Sequence, residues 1–234
     1  MGFKVGGHLP TAGMALPGFV ELSEDSTQRA LVATLGAGVD VNILAGYQFS
    51  ENVMLNVDIG YLSGFKGGFY RYEDVVRSGT FNRIDINFKG TFFSISPNLV
   101  IKANEKEGKM RPFARMGLHM GSGVVKATTT IDIFEGKRVD EYAGGWAVGW
   151  IGGMGLSKQI NDQLSATLEL TVKTITTRPK QRKNLENFTG VPIEDTISYK
   201  KELQRDSPKT DQLTFPIPFS SIGLTAGIQY KLGK

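Results

Sequence analysis

Apolar residues recur at every second position through eight segments of the chain, a spacing that places them on one face of an extended strand. In 220–234, Ile222, Leu224, Ala226, Ile228, Tyr230 and Leu232 share a face, and Ser221, Gly223, Thr225, Gly227, Gln229 and Lys231 share the other. Phe3, Val5, Gly7 and Leu9 oppose Lys4, Gly6 and His8, while Val39, Val41, Ile43, Ala45, Tyr47 and Phe49 oppose Asp40, Asn42, Leu44, Gly46 and Gln48. Leu55, Val57, Ile59 and Tyr61 form the third such face, and Ala114, Met116, Leu118 and Met120 the fifth. Trp146, Val148, Trp150, Met154 and Leu156 form the sixth, and Leu164, Ala166, Leu168, Leu170 and Val172 the seventh. The fourth begins with Ile84, Ile86 and Phe88 against Asp85, Asn87 and Lys89, changes phase at Phe92-Phe93, and continues as Ile95, Pro97, Leu99 and Ile101. That change of phase reads as a β-bulge. The pattern predicts strands near 2–9, 36–49, 53–65, 83–103, 110–123, 145–160, 164–176 and 219–232.

The connections between these segments alternate between short polar runs ("SEN", "NEKEGK", "NDQ") and long ones near 10–38, 66–82, 124–145 and 176–219. Long loops gathered at one end and tight turns at the other are the signature of a barrel that crosses a membrane. Aromatic placement points the same way. Phe3, Tyr47, Phe49 and Tyr230 lie on the apolar face near the short turns, and Tyr61 and Trp146 near the long loops, as two belts at hydrocarbon–water boundaries would require. A soluble barrel with an apolar cavity would instead turn the weakly charged Gly/Ser/Thr faces of the last three strands to water. The prediction is a single domain, 1–234, all-β: an eight-stranded antiparallel up-and-down transmembrane β-barrel with short periplasmic turns and long extracellular loops.

Composition narrows the chemistry. With 234 residues, 40% hydrophobic and 21% charged, the chain is long enough for one large all-β domain or two small ones. It has no cysteine, which excludes disulfides, zinc–thiolate sites and thiol nucleophiles. A net charge of +4 with no basic element interleaved with aromatics argues against nucleic acid. No apolar run reaches the roughly 18 residues of a transmembrane helix. The opening "MGFKVGGHLP" lacks a basic start and apolar core, so the expectation is a mature chain numbered after removal of a signal peptide, or a cytosolic one.

The stretches "GVDVNILAGYQFSENVMLNVDIGYLSGF", "RPFARMGLHMGSG" and the closing "SSIGLTAGIQYKLGK" resemble the small outer-membrane β-barrel proteins, the OmpA-type eight-stranded family, over essentially the whole chain. The resemblance implies a bacterial outer-membrane location without an attached peptidoglycan-binding domain. It also implies contact with outer-membrane lipid, including lipopolysaccharide, and recognition of the last strand by the barrel-assembly machinery. The chain departs from the pattern by ending Leu232-Gly233-Lys234 where a final aromatic is usual.

An eight-stranded barrel is just wide enough for side chains to fill it. The inward set expected from the alternation holds Lys4, Lys89, Arg115, Lys173 and Lys231 against Asp40, Asp58, Asp85 and Glu169, with Asn42, Gln48, Asn56, Asn87 and Gln229 among them. These nearly balanced charges would pair and plug the cylinder. An ion path is the alternative. The two histidines, His8 and His119, fall on strands at opposite sides of the barrel. His119 and Ser122 point to opposite faces, whereas His8 can meet Ser220 or Ser221 where the first and last strands close. The sequence assigns no catalytic, cofactor-binding or metal-ligating residue and no cofactor. In the fourth long loop, Arg178, Lys180, Arg182, Lys183, Lys200, Lys201 and Arg205 lie among Glu186, Glu194, Asp195, Glu202 and Asp206, with apolar Leu185, Phe188, Val191, Ile193, Ile197, Tyr199 and Phe215. "FPIPF" suggests a rigid segment descending into the barrel. The functional expectation is a structural or binding platform, acting through its extracellular loops on a protein partner or a larger outer-membrane complex. The alternatives are a small ion or solute channel and an enzyme that modifies lipid A or phospholipid.

Overall fold

The structure, a computed structural model, describes residues 1–11, 14–22, 28–33, 35–73, 82–104, 110–188, 196–200, 211–213 and 215–232. Eight antiparallel strands close into a barrel: β1 (Gly2–Pro10), β2 (Gly38–Gln48), β3 (Val53–Gly64), β4 (Asn82–Lys102), β5 (Arg111–Ile131), β6 (Trp146–Gln159), β7 (Leu164–Thr174) and β8 (Ser221–Tyr230). Each pairs with its neighbours in sequence, and β8 closes the cylinder between β7 and β1, with Ala226 opposite Leu168 on one side and Val5 on the other. No helix occurs among the described residues.

The alternation drives the closure. On β1, on β2 up to Leu44, on β3 from Leu55 to Leu62, on β7 from Thr167 and on β8 up to Ala226, buried and exposed residues alternate, and the buried member is polar or small except for Leu44 and Leu62. The outward side chains are apolar and exposed, including Ile43, Ile59, Val148, Met154, Leu168 and Leu224. The aromatics expected in two belts, Phe3, Tyr47, Phe49, Tyr230, Tyr61 and Trp146, are all exposed on the outer wall.

β4 corrects the sequence reading. Its register against β5 keeps one frame from Ile84↔Ile131 to Lys102↔Phe113, and its even-numbered residues point inward from end to end, so no bulge forms at Phe92-Phe93. Ile84, Ile86, Phe88 and Phe92 are buried, Phe93 faces out, and Lys89 is exposed while Asp85 and Asn87 are partly so. The apparent phase change marks a height along the strand. Towards Lys102 the interior is polar and the wall apolar, and towards Asn82 the interior is apolar and the wall polar.

Beyond that height, segments expected as loops are also strands. Gly67–Glu73 pairs with the upper part of β4, and Arg138–Ala143 with the upper part of β5, which runs to Ile131 rather than the expected 123. Gln181–Glu186, Thr196–Lys200 and Asp211–Leu213 extend this outer sheet in turn, the last pairing in parallel. Met14–Leu22 and Gln28–Ala33 form a separate hairpin. The chain returns from the outer sheet to β6 through Gly144 and Gly145, whose φ values of +85° and +87° suit glycine alone.

One apolar cluster fills the mouth of the barrel where this sheet begins: Leu35, Leu62, Phe88, Phe92, Val125, Ile175, Ile217 and Phe219 among others. The segment 215–219 carries Ile217 and Phe219 down into it, as the proline-bracketed sequence suggested. Phe219 sits 5.0 Å from Phe92 and so close to Gly123 that any Cβ there would lie 2.5 Å from the ring.

Candidate functional site: a closed interior beneath an outer sheet

Below the apolar cap, six charged side chains converge from five strands. Lys4 on β1, Arg115 on β5 and Lys173 on β7 face Asp40 on β2, Asp58 on β3 and Glu169 on β7, each 8% exposed or less. Lys4 Nζ donates to Glu169 Oε2 at 3.0 Å. The Arg115 guanidinium bridges Glu169 and Asp58, and Lys173 pairs with Asp40. Three cations match three anions, and the Thr171 hydroxyl donates to Glu169 Oε1 at 3.1 Å. Ion pairs this buried offset their desolvation only when geometry is good and remaining polar atoms are bonded. Both oxygens of Glu169 meet that condition, whereas Oδ1 of Asp40 and of Asp58 has no hydrogen-bond partner.

Of the expected inward set, Lys4, Arg115, Lys173, Asp40, Asp58, Glu169, Asn42 and Asn56 are in the interior. Lys89, Lys231 and Gln48 are not: all three are exposed, Asp85 and Asn87 point out of the β4 wall, and Gln229 is only half-buried. Lys89, Asp85 and Asn87 lie on the upper part of β4, where inside and outside have exchanged polarity, and Gln48 and Lys231 lie at the rim of the short turns. Towards that rim, Leu44, Val100 and Phe113 turn inward and are buried. The charges therefore sit between two apolar layers.

Both histidines are bound into this interior. His8 Nδ1 lies 3.3 Å from Ser221 Oγ, the contact expected at the β1–β8 closure, and His8 Nε2 lies 3.1 Å from Asp40 Oδ1 without hydrogen-bond alignment. His119 Nδ1 lies 2.8 Å from Ser96 Oγ, a partner the sequence reading did not find. It faces inward, away from Ser122, and packs 5.5 Å from Phe92. Among the described residues no group of His, Asp and Glu is arranged to hold a metal ion.

The outer sheet has its own interior. Tyr142 stacks on Tyr199 at 6.3 Å, and Phe215 packs edge-on to both. Phe188 lies 5.4 Å from Phe134, and Ile197 is buried. Asp140 accepts two bonds from Arg138, at 2.8 and 3.2 Å, and one from Asn184 at 3.2 Å, with Arg182 3.7 Å away. Burial, with the Asp140 charge second, raises the Tyr142 pKa, and burial pushes that of Tyr199 up to about 12. The loop's apolar residues thus pack chiefly against one another, except Leu185, which is exposed. Arg178, Lys180 and Lys183 project outward, whereas Arg182 turns in. Val191, Ile193, Glu194, Asp195, Lys201, Glu202, Arg205 and Asp206 lie outside the described residues.

The fold defines a class, the closed eight-stranded antiparallel barrel with a charge-filled interior. No protein-family model matches the chain, and no curated protein matches it by sequence.

Proposed function

We propose that the protein is an outer-membrane barrel whose wall faces lipid, whose interior is a structural plug, and whose outer sheet is the working surface. The observation that carries this reading is the exposed apolar wall around a buried interior of matched charges capped by Phe219 and its neighbours. A wall of this polarity is inside-out for water and right for hydrocarbon. Matched, desolvated pairs leave no hydrated path, which argues against the channel. The platform is an ordered sheet continuous with β4 and β5, so a partner meets a preformed surface. Arg178, Lys180 and Lys183 on it suit the phosphates of lipopolysaccharide or an acidic protein face.

The test replaces residues 179–214 with a short turn. The barrel should remain heat-modifiable on gels and silent in planar bilayers, while the protein or lipopolysaccharide that copurifies in mild detergent is lost. Stable conductance in the native protein, or unchanged capture by the shortened one, would overturn the platform.

One observation favours a second reading, an enzyme acting on lipid esters: Ser221, His8 and Asp40 stand in the order of a nucleophile, base and orienting acid. Ser221 is fully buried beneath the cap. A fluorophosphonate probe that labels Ser221 in the native barrel would support the enzyme, and absence of labelling even in Phe219→Ala would exclude it.

A further inference from the structure

Among the described residues, the exposed large apolar side chains belong to the barrel wall and its rims, with three exceptions: Ile133, Phe134 and Leu185. The first two sit in the turn that joins β5 to Arg138–Ala143. There the Phe134 amide donates to the Ile131 carbonyl at 3.0 Å and closes a β-turn over Asp132 and Ile133. Such turns favour Gly, Asn, Asp and Ser, and an isoleucine followed by a phenylalanine runs against that preference. No core is filled in return, since Ile133 is 44% and Phe134 41% exposed. A local rule broken without a gain in packing marks a functional position.

The tip is held on a fixed frame. The Asp132 amide donates to the Arg83 carbonyl of β4 at 3.2 Å, and Lys137 Nζ lies 3.4 Å from Glu186 Oε2. Gly136, at a φ of +103°, packs so close to Phe188 that a Cβ would lie 2.5 Å from its carbonyl oxygen. The Phe188 ring backs that of Phe134, and Leu185 precedes Glu186 in the chain.

Position and charge decide what the tip can meet. Ser122 pairs with Phe93 and Trp146 at the upper ring of exposed aromatics. At ~3.3 Å per residue and a tilt of about 40°, Ile133 stands roughly 25 Å beyond that level, out of reach of hydrocarbon. Asp132 and Glu135, on either side of Ile133-Phe134, are exposed and have no ion-pair partner among the described residues, whereas Lys126, Arg178, Lys180 and Lys183 make the rest of the exposed sheet cationic. Two free carboxylates repel the phosphates of lipopolysaccharide. A second copy, upright in the same membrane, brings its own acidic tip to the same height, so like charges would meet. A polypeptide with cationic side chains around an apolar pocket complements both features.

We propose that this tip is the docking point for a protein partner that receives Ile133 and Phe134 in an apolar pocket bordered by lysine or arginine. The inference rests on the reading of the outer sheet as the working surface and names its contact. The turn is preformed, so the partner orders little on binding.

The photo-cross-linker p-benzoylphenylalanine, placed in the full chain in cells at Ile133 and separately at Lys180, tests it. Ile133 should give one polypeptide adduct whose cross-linked segment carries lysine or arginine. That polypeptide, purified, is then titrated against the native barrel and two variants. Ile133→Ser, at an exposed position outside the packing that holds the turn, should weaken binding about tenfold. Asp132→Asn with Glu135→Gln should weaken it about threefold at low salt and not at about 0.5 M salt. Heat-modifiability should be unchanged in both. A polypeptide whose affinity neither variant moves overturns the tip, as does an adduct at Ile133 with lipopolysaccharide or a second copy. An adduct at Lys180 with none at Ile133 overturns the tip and leaves the platform standing, and none at either position overturns both.

Discussion

Replacing Arg115 with Met tests whether the interior is a dry ionic plug or a hydrated lumen. Among the described residues the Asp58 carboxylate is paired by the Arg115 guanidinium alone, through Oδ2, and its other oxygen, Oδ1, has no hydrogen-bond partner. Glu169 is better placed, since Lys4 at 3.0 Å and the Thr171 hydroxyl at 3.1 Å remain after Arg115 is gone. The substitution therefore strands one carboxylate, Asp58, at 3% exposure. A pair at about 4 Å is worth about 4 kcal/mol at an effective dielectric constant near 20, and removing one member of a buried pair costs about 3–5 kcal/mol. Arg115→Met should lose that much in urea unfolding of the refolded barrel, followed by tryptophan fluorescence, with the midpoint shifting and the slope unchanged. Adding Asp58→Asn removes the stranded charge and should restore most of the loss, because an apolar or neutral replacement of a whole buried pair is nearly free. A single-variant cost under about 1 kcal/mol would mean that water screens these groups. Additive costs in the double variant would mean that Arg115 and Asp58 are not coupled. Either result refutes the dry plug.

Two further outcomes follow from the cap and the outer sheet. Phe219→Ala removes a buried ring from against Phe92 and Gly123 and should cost about 3–5 kcal/mol in the same urea assay, against a near-neutral change if the cap is loosely packed. The Tyr199 hydroxyl, pushed up from 10.0 to about 12, holds its proton in the fold after the unfolded chain has released it. Its contribution is therefore complete below about pH 10 and is lost as pH rises towards about 12. Limited proteolysis of the outer sheet should accelerate over that window, and Tyr199→Phe should remove the part of the acceleration that tracks phenolate absorbance.

What the sequence could reveal was set by a limit of hydrophobic patterning: it reports which face avoids water, not which side of the wall that face is on. For β8 this was enough, because Ile222 to Tyr230 keep one environment along the whole strand. β4 passes from one environment to another. Ile84, Ile86 and Phe88 avoid water by turning inward under the cap, while Leu99 and Ile101 are apolar and exposed on the outer wall. At the crossover both Phe92, facing the cap, and Phe93, facing out, are apolar, and two adjacent apolar residues in an unbroken strand imitate a bulge. The outer strands were illegible for another reason. "RVDEYA" and "QRKNLE" lack a strong period of two; the first is a strand because the projecting end of β5 offers it a ladder, and the second because the first offers it one in turn.

The site was legible where chain order alone fixes neighbours. His8 could be matched to Ser220 or Ser221, of which the structure selects Ser221, because the first and last strands of a closed barrel must touch, and Lys4, Asp40, Asp58, Arg115, Glu169 and Lys173 could be placed inside by phase. Which charge meets which depends on the stagger between strands, a quantity set by closure of the whole sheet and not by any one segment. Ser96–His119 shows the consequence. The residues are cross-strand partners only in the register that adds Ile84 to Ile131 and Asn98 to Gly117, and neither strand carries a mark of that offset. Pro97 is a mark of another kind, since proline has no N–H to give a ladder. The β4–β5 pairs are missing at Ser96, Pro97, Leu118 and His119, where the Ser96 hydroxyl meets His119 Nδ1 across the gap and Asn98 Nδ2 donates to the Ser96 carbonyl within β4.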